Sequence, residues 1–238
     1  MTAVTTTWMT PAEINAKLEV PPNSSTPVKP VEAEFMYRLV RQHGLKRTLE
    51  TGMGYGRSAA HIICANEGEP HIAMDPFQTT YGSGGLKNIE RLGLSSALDF
   101  RADYSHNVLP KLLAEGRQFD FAFIDGDHRF DGQFIDFYYV DLLLPKNGFV
   151  LLHDTWMRST AFLMKYIEKN RTDYRKVDAG LRNLALYRKT GTDERAWTHF
   201  SAFYTPRAAL TQRAAGWLNA GADTALKRMV RGVRSRLG

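Results

Sequence analysis

Between residues 47 and 152 the chain repeats one pattern: a short apolar run, a turn, and then a longer segment with helical spacing. The runs are Arg47 to Glu50, His71 to Met74, Leu98 to Arg101, Phe119 to Ile124 and Phe149 to Leu152. Between and after them, helices are predicted near Ser58 to Ala65, Gly85 to Leu92, Val108 to Glu115, Arg129 to Leu142 and Ser159 to Asn170. Short apolar strands separated by helix-length segments imply βαβ units and a mostly parallel sheet. Tyr174 to Val177 and Ala185 to Arg188 can add a terminal antiparallel pair. The expected fold is α/β, doubly wound, with a mostly parallel sheet and an antiparallel terminal strand.

This pattern fills residues 31–190, leaving an arm over 1–30 and an extension over 191–238. In the arm, Thr10-Pro11 reads as a helix start, with Thr10 as N-cap. Pro21, Pro22, Pro27 and Pro30 then bar regular structure until about Val31, from which a helix runs to His43 before Gly44. The 238 residues suit one medium domain with extensions. No apolar run nears the roughly 20 residues that span a bilayer, and Met1 to Met9 lacks the basic flank and apolar stretch of a secretory signal. Cys64 is the sole cysteine, which excludes an intrachain disulfide and a zinc-cysteine cluster. A cytoplasmic protein is expected.

The formal net charge of +6 is local. Arg207, Arg213, Lys227, Arg228, Arg231, Arg234 and Arg236 face one acid, Asp223, in the last stretch, and the rest of the chain is balanced. A duplex-DNA binder usually spreads such charge over a folded face, so no DNA partner is expected. Leu226, Met229, Val230, Val233 and Leu237 follow helical spacing among the cations. That is the pattern of a basic amphipathic helix, suited to an anionic membrane surface and a peripheral place at the inner membrane. Docking on the chain's own domain or on a partner is the alternative, and arms at both ends are compatible with a homodimer.

The most specific local feature is Glu50-Thr-Gly52-Met-Gly54-Tyr-Gly56, set between the first strand and the following helix. Glycine lets the chain turn sharply and lets backbone approach a ligand, while the helix N-terminus offers free N–H groups. The dinucleotide fingerprint wants glycine where this chain has Arg57. Asp75, 23 residues past Gly52, closes the second run, where an acid can accept ribose hydroxyls. A helix cap or a loop carboxylate stiffened by Pro76 is the plainer reading.

With these blocks, the chain resembles the class I S-adenosylmethionine-dependent methyltransferases, which have a Rossmann-like fold. The matching stretches are Leu49 to Gly56, Ala73-Met-Asp-Pro-Phe77, Arg101-Ala-Asp-Tyr104, Phe119 to His128 and Asn147 to Asp154. The Ile-Asp-Gly-Asp-His stretch at 124–128 resembles a subgroup of small-molecule O-methyltransferases, some acting on sugars. The resemblance implies that Glu50, Gly52, Gly54 and Gly56 border the methionine and ribose of S-adenosylmethionine. It further implies that Asp75 binds the ribose hydroxyls, with Phe77 near the adenine and Asp103 and Tyr104 at its edge. Asp125 would also contact the cofactor.

Asp125, Asp127, His128 and Asp131 cluster after the fourth run, and His153-Asp154 follows the fifth. Strand ends of a parallel sheet meet on one edge, so Asp125 and Asp154 can converge. Oxygen ligands placed this way suit Mg2+ or another divalent cation. Resemblance to metal-dependent relatives implies Asp125 and Asp154 as metal ligands and His128 as the base. His153 stands where several relatives carry an acid, and it is read as a metal ligand, a second base or an orienting group. The function expected is methyl transfer to a hydroxyl of a small-molecule, sugar or glycolipid acceptor. The alternatives are an N- or RNA methyltransferase, and a non-catalytic nucleotide-binding protein. The loop from Phe77 to Gly85 is read either as a mobile cover or as a plain connector.

Overall fold

The computed structural model describes residues 8–22, 24 and 28–204, so the basic stretch 207–238 lies outside the described residues. Two helices precede the sheet: α1 (Pro11–Lys17) and α2 (Pro30–His43). Thr10 caps α1 in a reciprocal box with Glu13, and Gly44 ends α2 in the left-handed conformation. The repeat follows as β1 (Thr48–Thr51), α3 (Arg57–Ala65), β2 (His71–Met74), α4 (Gly84–Arg91) and β3 (Leu98–Arg101). It continues with α5 (Ser105–Ala114), β4 (Phe121–Ile124), α6 (Phe130–Leu143), β5 (Phe149–Leu152) and α7 (Arg158–Asn170). β6 (Tyr174–Val177) and β7 (Ala185–Lys189) close the order.

The seven strands among the described residues join one sheet in the order β3-β2-β1-β4-β5-β7-β6. β1 to β5 run parallel, and β7 enters antiparallel between β5 and β6. This is the Rossmann-like, mostly parallel arrangement expected. The antiparallel strand is last in sequence but not outermost, since β6 holds the edge.

Strand alternation sorts the core into two layers. Leu49, Ile72, Ala122, Ile124, Val150 and Leu152 face α5, α6 and α7. Phe121, Phe123, Phe149 and Leu151 face α2 and α3, and Ala73 joins α1, α3 and α4. Ile14 of α1 is fully buried there, so part of the N-terminal arm is packed into the domain.

Helix α5 starts three residues before the expected Val108. Asp103 accepts hydrogen bonds from the Tyr104 N–H and the Asn107 side chain, which secures an earlier first turn. Pro110 is carried inside the helix, forgoing one backbone bond.

Candidate active site

A cavity of about 750 Å³ opens at the carboxyl ends of β1, β2, β4 and β5. The sheet order reverses between β1 and β4, and ligands of open α/β sheets lie in the crevice at such a switch point. The volume falls within the usual range for small-molecule sites.

The glycine loop forms one wall. Gly52 has φ +81°, and a Cβ there would lie 2.4 Å from the Asp125 carbonyl oxygen. Glycine is therefore required both by conformation and by the close passage of the β4 end. Asp75 holds the loop in place. Its Oδ2 accepts from Met53 N (3.3 Å), Gly54 N (2.9 Å) and Gln78 Nε2 (2.9 Å), while its Oδ1 accepts from Phe77 N (2.8 Å). Oδ1 keeps acceptor capacity for a further donor. The turn over 77–83 is closed by Tyr81 N to Phe77 O and Ser83 N to Gln78 O. Gly85 beyond it sits against the Gly54 carbonyl, where a Cβ would meet it at 2.4 Å.

Phe77 and Tyr104 flank the next part of the cavity, 49% and 45% exposed, with centroids 5.9 Å apart and planes nearly perpendicular. Two half-exposed rings beside a buried acid offer apolar surface to a flat heterocycle.

The charged end gathers three side chains from two strands. Ligand atoms of Asp125, His128 and Asp154 all lie within 4.8 Å of one another. His128 directs Nδ1 at the Gly126 carbonyl (3.0 Å), which fixes the ring and turns Nε2 toward Asp154 Oδ2 (2.9 Å) and Asp125 Oδ1 (3.8 Å). Hydrogen bonding to Asp154 raises the His128 pKa above its ordinary value, against the effect of burial. Burial alone would raise Asp154, but His128, His153 and Trp156 outweigh it and bring it to about 2. Asp154 also adopts φ +51°, a left-handed conformation that aspartate tolerates and that is found at functional turns.

His153 is engaged elsewhere. Its Nδ1 lies 2.9 Å from Asp125 Oδ1, and its Nε2 lies 3.1 Å from Glu32 Oε2. Burial opposes protonation, yet Asp125 and Glu32 together push the imidazole up to about 10. Both ring nitrogens lie against carboxylates, so this geometry places His153 behind Asp125, away from the Asp125–His128–Asp154 grouping. The ligand-like third position is filled by His128.

Three expected cofactor residues stand apart from the cavity lining. Glu50 is fully buried in β1, with Oε1 3.5 Å from His71 Nε2. Strand alternation sends it, with its partner Ala73, to the layer covered by helices. Gly56 packs against Gly85, and Asp103 Oδ1 accepts from Tyr104 N and Asn107 Nδ2 at the start of α5. Conversely, Glu32, Arg57 and Asn183 line the cavity without having been singled out as site residues. Glu32 carried only the signal of a first-turn acid, and Asn183 sits in a turn with no local pattern.

Two carboxylates and one imidazole are a coherent donor set for a divalent cation. The nitrogen suits Mn2+ and similar ions as well as Mg2+.

Comparison with known proteins places likenesses on the part of the chain that builds most of this cavity. Residues 49–155 match a family described as a methyltransferase domain. Tricin synthase 1 of Oryza sativa subsp. japonica is 36% identical over 40% of each chain. Caffeoyl-CoA O-methyltransferase 1 of Zea mays is 35% identical over 40% of this chain and 38% of its own. The match thus spans about two fifths of these curated relatives. Catechol O-methyltransferase of Niastella koreensis is 26% identical over 70% of this chain and 72% of its own. Among solved structures, an O-methyltransferase from Bacillus cereus in complex with SAH superposes with TM-score 0.62. It shares 17% identity and covers 76% of this chain and 89% of its own. That likeness concerns the fold alone. Residues 49–155 thus match a methyltransferase domain, and the relatives similar to this part of the chain are O-methyltransferases.

Proposed function

We propose that the chain transfers a methyl group from S-adenosylmethionine to a hydroxyl of a small-molecule acceptor, a phenol or a sugar. The observation that carries this reading is that one cavity joins the Gly52–Asp75 wall to the Asp125–His128–Asp154 cluster. The catechol and caffeoyl-CoA O-methyltransferase relatives support a hydroxyl as the acceptor.

In this reading Asp75 Oδ1 takes a ribose hydroxyl, and Phe77 and Tyr104 flank the adenine. Asp125 faces the amino-acid end of the cofactor. Methyl transfer from a sulfonium is an in-line displacement: the S–C bond breaks as the O–C bond forms, and the acceptor loses its proton. The protein's main tasks are orientation and receipt of that proton. His128 takes it on Nε2, and Asp154 stabilises the imidazolium. Asp125, His128 and Asp154 would also hold a divalent cation, which supplies stabilisation of the developing alkoxide. His128 would then be a ligand rather than the base, and the acceptor's proton would pass to water.

Calorimetry with S-adenosylhomocysteine, and labelled methyl transfer into catechols, phenols and sugars with Mg2+, Mn2+ or chelator, test the reading. Homocysteine-nucleoside binding and transfer to a hydroxyl are expected. Binding of NAD in its place, or transfer only to amines, would overturn it.

A further inference from the structure

Arg57 opens α3 directly after the glycine loop and lines the cavity. Its position is unfavourable on its face: a cation at a helix N-terminus meets the positive end of the dipole. Burial lowers its pKa, with no acid acting in the other direction. Among the described residues it forms no ion pair, and its Nε is buried without a partner. Partly buried cations normally have a counter-charge.

The guanidinium is nonetheless held firmly. Arg57 donates through Nη1 to Asn15 Oδ1 of α1. Asn15 Nδ2 lies 3.4 Å from His61 Nε2, and His61 Nδ1 lies 2.8 Å from the Arg57 carbonyl. The carbonyl can only accept, so His61 carries its proton on Nδ1 and presents a lone pair on Nε2. That orients the Asn15 amide, nitrogen toward His61 and oxygen toward Arg57. Burial takes the His61 pKa down to about 4, which keeps the ring neutral. A closed circuit of three side chains from α1 and α3 therefore holds the guanidinium of a residue that lines the cavity.

We infer that Arg57 receives the α-carboxylate of the cofactor's amino-acid end, and that Asn15 positions it for this. The inference rests on the cofactor reading above. With ribose at Asp75 and base at Phe77 and Tyr104, the amino-acid end is the part left to place. It is a zwitterion that needs one acid and one cation. Asp125 and Glu32 suit the ammonium and repel the carboxylate, whereas Arg57 lines the same cavity from the start of α3. Arginine's planar fork matches a carboxylate.

The test compares S-adenosylhomocysteine with its decarboxylated analogue, S-adenosyl-3-thiopropylamine, which lacks only the carboxylate. In Arg57→Gln, affinity for S-adenosylhomocysteine should fall about tenfold or more, while the analogue changes by less than about twofold. Retained analogue binding reports an intact fold. Asn15→Ala should reduce the same preference by about threefold, and Arg57→Lys should restore part of it. Equal weakening of both ligands, or an unchanged preference, overturns the inference while leaving the cofactor reading standing. Failure of the wild-type protein to bind either ligand overturns the cofactor reading itself.

Discussion

His153 and Glu32, 121 positions apart in the chain, meet through Nε2 and Oε2 at 3.1 Å. Asp125 holds the other ring nitrogen at 2.9 Å, so a buried imidazole lies between two carboxylates. Glu32 also accepts from the Lys29 N–H (2.8 Å) and from Asn183 Nδ2 (3.1 Å). Glu32→Ala would strip the His153 ring of one carboxylate partner and leave the Lys29 and Asn183 donors unpaired. A loss of about 3 kcal/mol in urea unfolding is expected. A loss below about 0.5 kcal/mol, the range of ordinary surface changes, would show that the pair is not coupled to folding.

The Asp125–His128–Asp154 cluster predicts a particular ranking in cation binding. His128→Ala and Asp154→Asn should each weaken Mn2+ affinity by about tenfold or more, because each removes a ligand atom. Electron paramagnetic resonance titration of free Mn2+ provides the measurement. Undiminished binding in His128→Ala would return that histidine to the role of base alone.

Gly52→Ala probes the close passage of β1 and β4. The added methyl would strike the Asp125 carbonyl in a backbone already at positive φ. Destabilisation of at least about 2 kcal/mol is expected, together with loss of nucleoside binding. Gly54→Ala, where a Cβ meets nothing within 4 Å, isolates the cost of φ +50° alone and should be milder. Equal effects of the two changes would remove the collision as the cause.

Much of this molecule was legible in the sequence, for identifiable reasons. β2, β3 and β5 match their apolar runs because each is bounded by turns or polar residues. Gly52, Asp75, Phe77, Tyr104, Asp125, His128 and Asp154 lie in short blocks at strand ends, and the sheet brings those ends together. Glu50 belongs to the same block yet falls outside the cavity. A block records neighbourhood along the chain, whereas alternation decides which face a strand residue takes. Glu32 and Asn183 are illegible in the sequence for the opposite reason. Each reaches His153 through folding alone, and nothing adjacent in sequence marks them. For His153 the sequence leaves ligand, second base and orienting group open, because its contact with Glu32 comes from folding alone.

A second buried network predicts the acid response. Asp141 Oδ1 accepts from Arg171 Nη2 (2.7 Å) and Tyr174 OH (2.8 Å) and lies 3.0 Å from Lys189 Nζ. Burial raises the Asp141 pKa, but Arg171 and Lys189 outweigh it and hold it below its ordinary value of 3.8. A depressed carboxylate contributes stability above its unfolded pKa and loses it as pH falls through the folded one. Wild-type stability should therefore decline below about pH 4. Asp141→Asn should be less stable at pH 7 and show a shallower acid decline. Parallel acid profiles for the two proteins would dissociate Asp141 from that transition.

The basic stretch over 207–238 carries a prediction from charge alone. Removing it should abolish co-sedimentation with vesicles containing an anionic lipid and leave nucleoside binding unchanged. Equal pelleting of full-length and truncated protein would end the membrane reading.

The Glu32–His153–Asp125 junction with Asn183 also bears on how the molecule matures during synthesis. Its parts emerge from the ribosome at widely separated times, and Asn183 comes from just before the last strand. A nascent chain that has already built β1 to β5 still lacks the donor that joins Glu32 to Asp154. The link between Glu32 and Asp154 therefore closes only after Asn183 is made, although Asp125, His128 and Asp154 all precede it in the chain.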